Sequence, residues 1–328
     1  MSMPLMILYY THNLVPRNLL ITTLKRAYAS ASTFGQEAIF VVVSQFPVLA
    51  NHTYVDINVE DGDGNFKTTI DQLSGLSTPC EIYQYLVRDV LLNECDLKAQ
   101  NPFDELPDNL RVPPDKWNDI KFHNIVVGKL QYSYRSVLRQ ILLGITESIK
   151  CTSVILMEHD VLYPSSYVET ATRLLKTHNI TYCNKHRIYA SIYGYLNPGG
   201  NILQSGISCR SDILQKITRN KLDMIRSDTV SVHILEPIIR QIITNYCADI
   251  TGEIIVDNAS CMDDNLPKHH DLLDMHHFLN TTGMVTATSN LYTKDHPYWG
   301  NHSQWASLLE IDMDEACKSK AVYGTFDY

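Results

Sequence analysis

The sequence predicts an α/β protein with a mixed sheet flanked by helices, and three observations carry that expectation. Short apolar runs recur at residues 5–10, 38–44 and 152–157, the second of them rich in β-branched residues. Helical stretches over 16–27, 134–149 and about 167–177 alternate with them. Every apolar run is strand-sized, so none competes as a membrane span. A chain of 328 residues holds one large α/β domain or two small ones, each with a substantial core.

Taken in order, residues 5–10 form a first strand that stops at the polar triplet Thr11-His12-Asn13. Pro16 then opens a helix, since a first-turn N–H has no intrahelical partner to lose. Residues 38–44 read as a buried parallel strand, which completes a β-α-β opening typical of an open, doubly wound sheet. Asp61-Gly62-Asp63-Gly64-Asn65 begins like a calcium loop. Its twelfth position holds Gln72 where an acidic ligand belongs, so a turn between strands is expected. Residues 101–115 carry Pro102, Pro107, Pro113 and Pro114 among polar neighbours, the composition of a surface excursion. Residues 125–127, the helix 134–149, the strand 152–157, the helix near 167–177 and a strand at 187–193 resume the alternation. The last quarter is rich in His and Asp and weakly periodic.

Hydrophobic residues make up 45% of the chain and charged residues 19%, a globular balance. The net charge of −9 argues against gripping a nucleic-acid backbone by the overall field, although a local patch can oppose the average. The first ten residues lack a basic segment followed by a long apolar one, so neither a signal peptide nor a membrane anchor is expected. Eight cysteines are scattered without a C-x-x-C pair and read as reduced, mostly buried thiols of a cytoplasmic protein.

The sharpest local feature is Val154-Ile155-Leu156-Met157-Glu158-His159-Asp160, an apolar strand that ends in two carboxylates flanking a histidine. Ligands of open α/β sheets gather at the carboxyl ends of strands. Two carboxylates there can hold a divalent cation against a nucleotide diphosphate, and hard oxygen ligands suit magnesium or manganese. Alone, the pair equally fits a strand-end turn.

Glu158-His159-Asp160 resembles the D-x-D motif of GT-A glycosyltransferases, and other segments extend the likeness. Tyr134–Gly144 looks like the helix that leads into that motif, and residues 7–13 are similar to the family's first strand. Tyr193–Gly200 and Gln204–Asp212 resemble its acceptor-side strands and Gly-containing turn. The resemblance implies a Rossmann-like nucleotide-diphospho-sugar transferase fold, in a single domain over 1–328. A nucleotide half of about 1–164 would carry an irregular insertion at about 51–120. An acceptor half of about 165–328 would be woven onto the same sheet. It implies a metal-dependent transfer of a sugar from a nucleotide-diphosphate sugar to a hydroxyl acceptor on a glycan, a small molecule, a protein or a modified nucleic-acid base. By the same likeness, Thr11 and Asn13 contact the nucleotide and Asp160 holds the cation. The longer Glu158, standing where the motif has aspartate, reaches nucleotide or ribose. Asp271–Gly283 resembles the C-terminal region that completes the metal site, which gives His277 that role with His276 next in line.

Inverting transfer needs a carboxylate to deprotonate the acceptor. Glu236, held between apolar residues and Pro237, is the first candidate, and Asp263 and Asp264 are the fallback pair. Lys129, Arg135 and Arg139 are the basic residues just upstream of the carboxylates; the two arginines share a helical face, and each fits a phosphate contact or an exposed helix surface. Residues 294–302 set aromatics beside histidines, which suits either sugar stacking or a tail anchored by Trp299 and Trp305. A sugar nucleotidylyltransferase and a Rossmann dehydrogenase both lack support, because Thr11–Pro16 contains no glycine. A transferase acting on hydroxymethylated bases of viral DNA sits awkwardly with the acidic charge. A non-enzymatic carbohydrate-binding protein leaves the strand-end carboxylates idle.

Overall fold

The computed structural model describes residues 5–13, 15, 17–32, 38–49, 51–55, 120–128, 130, 134–147, 151–164, 166–178, 181–184, 187–191, 194–196, 206–224, 254–257, 272–275, 293–296 and 298–308. The first strand, β1 (Leu5–Thr11), is buried along its whole length. Its alternate side chains serve two cores. Leu5, Ile7 and Tyr9 face one cluster, and Met6, Leu8 and Tyr10 face the other. A strand apolar on both faces can only lie inside a two-sided sheet, which is why its sequence shows a run instead of an alternation.

Helix α1 (Arg17–Ser32) follows and packs on the first face through Leu19, Leu20, Leu24, Ala27, Tyr28 and Ala31. Strand β2 (Ala38–Ser44) returns parallel to β1, with Leu5 opposite Ala38 and Thr11 opposite Ser44. Strands β3 (His52–Tyr54) and β4 (Lys121–Val126) continue the parallel arrangement outward. Helix α2 (Tyr134–Glu147) then covers the opposite face. Leu138, Ile141, Leu142 and Ile145, spaced at helical period, lie in the second core. Strand β5 (Ser153–Glu158) comes back on the other side of β1, again parallel.

The remaining elements divide between two sheets. Strands β7 (Thr181–Asn184), β10 (Ile207–Arg210) and β11 (Ile254–Asp257) complete a central sheet ordered β11-β7-β10-β5-β1-β2-β4-β3. Only β10 runs antiparallel to its neighbours there. The mixed central sheet flanked by helices is what the sequence predicts. The later strands, which the sequence expects to be woven onto the same sheet, divide: β7, β10 and β11 join it. Residues 187–191 do form a strand, β8 (Arg187–Ser191), but it joins a second sheet ordered β6-β12-β8-β9. Its partners are β6 (Val161–Leu162), β9 (Gly194–Leu196) and β12 (Leu272–Asp274). This sheet packs into the core on the α1 face through Val161, Leu162, Ile188, Ala190, Leu272 and Leu273. Helices α3 (Tyr167–His178) and α4 (Ser211–Met224) flank the central sheet, α3 through the first core and α4 through the second. A short hairpin, β13 (Asp295–His296) and β14 (Gly300–Asn301), leads into α5 (His302–Leu308).

Cys151 and Cys209 are buried thiols, and burial pushes the Cys151 thiol up. Among the described residues no helix is long and apolar enough to cross a membrane. The Asp61–Asn65 turn and the proline-rich stretch 101–115 lie outside the described residues.

Candidate active site

The connection from β1 through α1 to β2 leaves toward one side of the sheet, and the connection from β4 through α2 to β5 returns on the other. The two helices lie on opposite faces. The strand order therefore reverses between β1 and β5, and the crevice of an open α/β sheet opens outside the carboxyl ends of such a pair. Those ends carry Thr11-His12-Asn13 and Glu158-His159-Asp160. The register sets Tyr10 opposite Glu158, so the two polar triplets come together at one edge.

The Glu158–Tyr163 turn is fixed from four directions. The Glu158 N–H donates to the Tyr163 hydroxyl at 2.8 Å, closing the turn on itself. The Thr23 hydroxyl of α1 donates to the His159 carbonyl at 2.9 Å, and lies 2.8 Å from the Tyr9 hydroxyl. The Met275 N–H, just past β12, donates to the Asp160 carbonyl at 2.8 Å. The Tyr10 hydroxyl donates to Glu158 Oε1. Burial raises the Tyr9 and Tyr10 hydroxyls far above the ordinary phenol range, and the nearby Glu158 carboxylate adds to both shifts. The two phenols are thus neutral groups beneath a charged turn.

His159 is buried, while Glu158 and Asp160 are half-buried. The His12 ring stands edge-on to the His159 ring, centroids 4.3 Å apart. The sequence marked His12 only as part of a polar triplet. Its packing on His159 places a half-buried imidazole in the crevice, and the residue pattern carries no sign of that contact. Tyr10 and Tyr163 were likewise unreadable as site residues, because both belong to apolar runs.

Thr11 and Asn13 sit at the crevice, but their side chains are committed to the scaffold. Asn13 adopts φ 61°, a left-handed conformation that asparagine tolerates better than most residues. In that pose Asn13 Oδ1 accepts from the Gln45 and Phe46 N–H groups at 3.1 and 3.2 Å, and Nδ2 donates to the Phe46 carbonyl at 3.1 Å. The Thr11 hydroxyl accepts from the Asn13 N–H at 2.9 Å, and the Thr11 carbonyl receives Gln140 Nε2 at 3.0 Å. Together they lash the end of β1 to the end of β2 and to α2.

Arg135 and Arg139 lie half-buried in the first two turns of α2. Because β4 ends at the same sheet edge as β1, α2 starts beside the crevice, and Gln140 on its second turn reaches Thr11. Lys129 lies outside the described residues, as do His276, His277, Glu236, Asp263 and Asp264. The chain reaches His276 and His277 directly after Met275, the residue bonded to Asp160.

A divalent cation is tested by the donor set. Asp160 and Glu158 offer hard oxygens on a fixed turn, and no group of three or more His, Cys, Asp or Glu converges among the described residues. One or two carboxylates, with the remaining positions left to water and substrate phosphates, is the set that magnesium commonly takes. The Glu158 and Asp160 oxygens are donors of the kind a hard divalent cation takes.

The aromatic segment near the carboxyl end is a core anchor. Trp299 and Trp305 are buried, their rings 5.9 Å apart. Trp305 Nε1 donates to the Tyr195 hydroxyl at 2.8 Å, and that hydroxyl donates to the Trp299 carbonyl at 3.2 Å. These contacts fasten the β13–β14 hairpin to β9 of the second sheet.

Fold and site together define an open mixed α/β protein with an acidic turn at the switch point of its central sheet. No family model matches the chain, and no curated protein matches it. Among the solved structures similar to it in part are two of one protein. A crystal structure of S. aureus TarS aligns with 11% identity and a TM-score of 0.38, over 83% of this chain and 37% of that one. The S. aureus TarS 1-349 structure aligns with 12% identity and a TM-score of 0.37, over 83% of this chain and 60% of that one. The chain spans less than two thirds of either.

Proposed function

We propose that this chain is a glycosyltransferase of the GT-A type that moves a sugar from a nucleotide-diphosphate sugar to a hydroxyl acceptor. One observation carries the reading. The Glu158-His159-Asp160 turn, held from four directions, stands at the sheet's switch point beside the end of β1. An enzyme that must meet a leaving diphosphate needs charge positioned before the reaction, in a site that does not reorganise during it. The ties to Tyr163, Thr23, Met275 and Tyr10 supply that rigidity.

In this reading Asp160 holds a magnesium or manganese ion with His277, or with His276 in its place. When bound, the ion offsets charge developing on the diphosphate. Glu158 faces the nucleotide, and Arg135 and Lys129 receive phosphate oxygens. Thr11 and Asn13 shape the floor of the site through the β1–β2 junction. Glu236, or the pair Asp263 and Asp264, takes the proton from the acceptor hydroxyl, giving inversion at the anomeric carbon. The acceptor is a glycan, a small molecule, a protein or a modified base.

The test is hydrolysis of a panel of nucleotide-diphosphate sugars by the purified chain, with and without manganese. Release of nucleoside diphosphate from one donor, stimulated by the ion, is the expected result. Absence of binding and hydrolysis across the panel would remove the reading.

A further inference from the structure

We propose that Tyr10 is a positioning residue for the donor: its hydroxyl fixes the Glu158 carboxylate in one orientation at the crevice. The inference rests on the transferase reading above and deepens it.

The geometry begins with register. Tyr10 and Glu158 are partners across the parallel β1–β5 ladder, so their side chains leave the sheet on the same face. Tyr10 is buried in the core on the α2 side, a cluster that includes Leu8, Val43, Ile125 and Leu138, and its hydroxyl lies at the strand end. There it donates to Glu158 Oε1. The other end of Glu158 is gripped from the opposite side of the sheet. Tyr163, buried in the core on the α1 side, accepts the Glu158 N–H. Two phenols rooted in two separate cores therefore hold one half-buried residue by its carboxylate and by its amide.

Packing does not require this arrangement. Phenylalanine would fill the Tyr10 site equally well, and a half-buried carboxylate can be solvated by water. What the hydroxyl adds is orientation. A glutamate has three rotatable side-chain bonds, and ordering a long polar side chain carries an entropic cost. Where Tyr10 holds the carboxylate beforehand, that cost does not fall on substrate binding. The site otherwise offers a longer acidic side chain where the resembled motif has the shorter aspartate. A second anchor compensates for the added freedom.

The experiment uses the full chain as wild type, Tyr10→Phe, Glu158→Gln and the double variant. Calorimetric affinity for a nucleoside diphosphate, donor KM and kcat, and thermal midpoint are measured for each. Tyr10→Phe is expected to weaken affinity and raise donor KM about tenfold, the effect of losing one hydrogen bond to a charged group. Its kcat falls by less than KM rises, and its melting midpoint moves by only a few degrees. In the Glu158→Gln background the same substitution changes affinity by less than about twofold, because the carboxylate it served is gone.

Wild-type affinity and KM in Tyr10→Phe would overturn the proposal, as would effects that add in full in the double variant. Loss of folding in Tyr10→Phe would overturn it too, since the hydroxyl would then be structural. If the wild type binds a nucleoside diphosphate but turns over no donor, the transferase reading fails, and the calorimetric cycle alone decides the Tyr10 role. If it binds none, both fall.

Discussion

Gly144, in the third turn of α2, offers a prediction whose sign reverses with context. An ideal Cβ at this position would lie 2.4 Å from Leu8 Cδ1, and 3.1 Å from both Leu8 Cδ2 and Val43 Cγ2. Non-bonded carbons settle at about 3.5–4.0 Å, so the nearest methyl must retreat by roughly 1 Å. Leu8 is fully buried in the central strand, with packed neighbours on both sides. Moving it off its rotamer costs about 0.5–1.5 kcal/mol, and overpacking a core generally costs about 1–3 kcal/mol. Against this, alanine gains about 1 kcal/mol over glycine in a helix interior. Gly144→Ala is therefore expected to destabilise the protein by about 1–2 kcal/mol, the clash outweighing the propensity gain. Leu8→Ala costs about 2–5 kcal/mol by itself but removes the obstructing methyls. In that background Gly144→Ala should stabilise, by up to about 1 kcal/mol. Urea denaturation of the four proteins closes the cycle. A stabilised single variant, or equal destabilisation in both backgrounds, would show that α2 does not approach β1 as described.

Asp160→Ala should leave the melting midpoint nearly unchanged and reduce donor turnover about a thousandfold, a loss of roughly 4 kcal/mol in activation free energy; near-normal turnover would exclude Asp160 from the chemistry. Asn13→Gly should cost about 1–3 kcal/mol, by removing the Asn13 amide oxygen from the Gln45 and Phe46 N–H groups, of which Gln45 keeps only the longer bond to the Thr11 carbonyl at 3.3 Å. Asn13→Ala should cost about 1 kcal/mol more, since only glycine accepts the positive φ freely; equal losses in chemical denaturation would mean the backbone relaxes there. Arg26 is buried with both terminal nitrogens outside hydrogen-bond geometry, and burial lowers its pKa while the Tyr298 hydroxyl partly offsets this. Arg26→Met should raise the thermal midpoint or leave it in place, and a fall of more than a few degrees would show that the guanidinium is well compensated. Burial raises the Tyr9 and Tyr195 hydroxyls in the folded state, so the native protein keeps protons that the unfolded chain releases above pH about 10. Their contribution to stability is complete below that pH and is lost as pH rises beyond it, which parallel phenolate titration and denaturation would follow.

The central sheet was legible because burial on both faces writes itself into composition. Residues 5–10, 38–44 and 152–157 are apolar regardless of register, and the observed strands differ from them by a residue or so. Sheet membership was not legible. The β8 strand satisfies the same local criteria as β2, and its place in the second sheet is set by pairing with residues 272–274. Nothing within 187–193 encodes a partner more than eighty positions away. The site divides in the same manner. That Glu158 and Asp160 stand at a strand end followed from the stop of an apolar run. That Asn13 turns its amide toward Gln45 and Phe46 depended on one left-handed residue and on the β1–β2 register, neither of which a polar triplet reveals. The aromatic segment was ambiguous for another reason: a tryptophan suits a sugar platform or a core anchor equally, and only the Trp305 bond to Tyr195 separates the two.

Helix α1 shows how fold and site share residues. Its buried side carries Thr23 and Ser30, seven positions apart and so on one face of the helix. Thr23 donates to the His159 carbonyl, and the Ser30 hydroxyl donates to the Pro164 carbonyl at 3.1 Å while accepting the Val168 N–H at 3.3 Å. These two hydroxyls clip the segment from His159 to Pro164 at both ends. A purely apolar helix face would bury more hydrophobic surface, but it would take one donor from each of these carbonyls, of which Pro164 keeps the Tyr167 N–H at 3.0 Å. The polar positions thus blur the helix's amphipathic pattern in exchange for a turn whose backbone cannot drift. The acidic turn is consequently held by the helix that begins at the opposite strand of the crevice. A change in the α1 packing face reaches Glu158 and Asp160 without touching either.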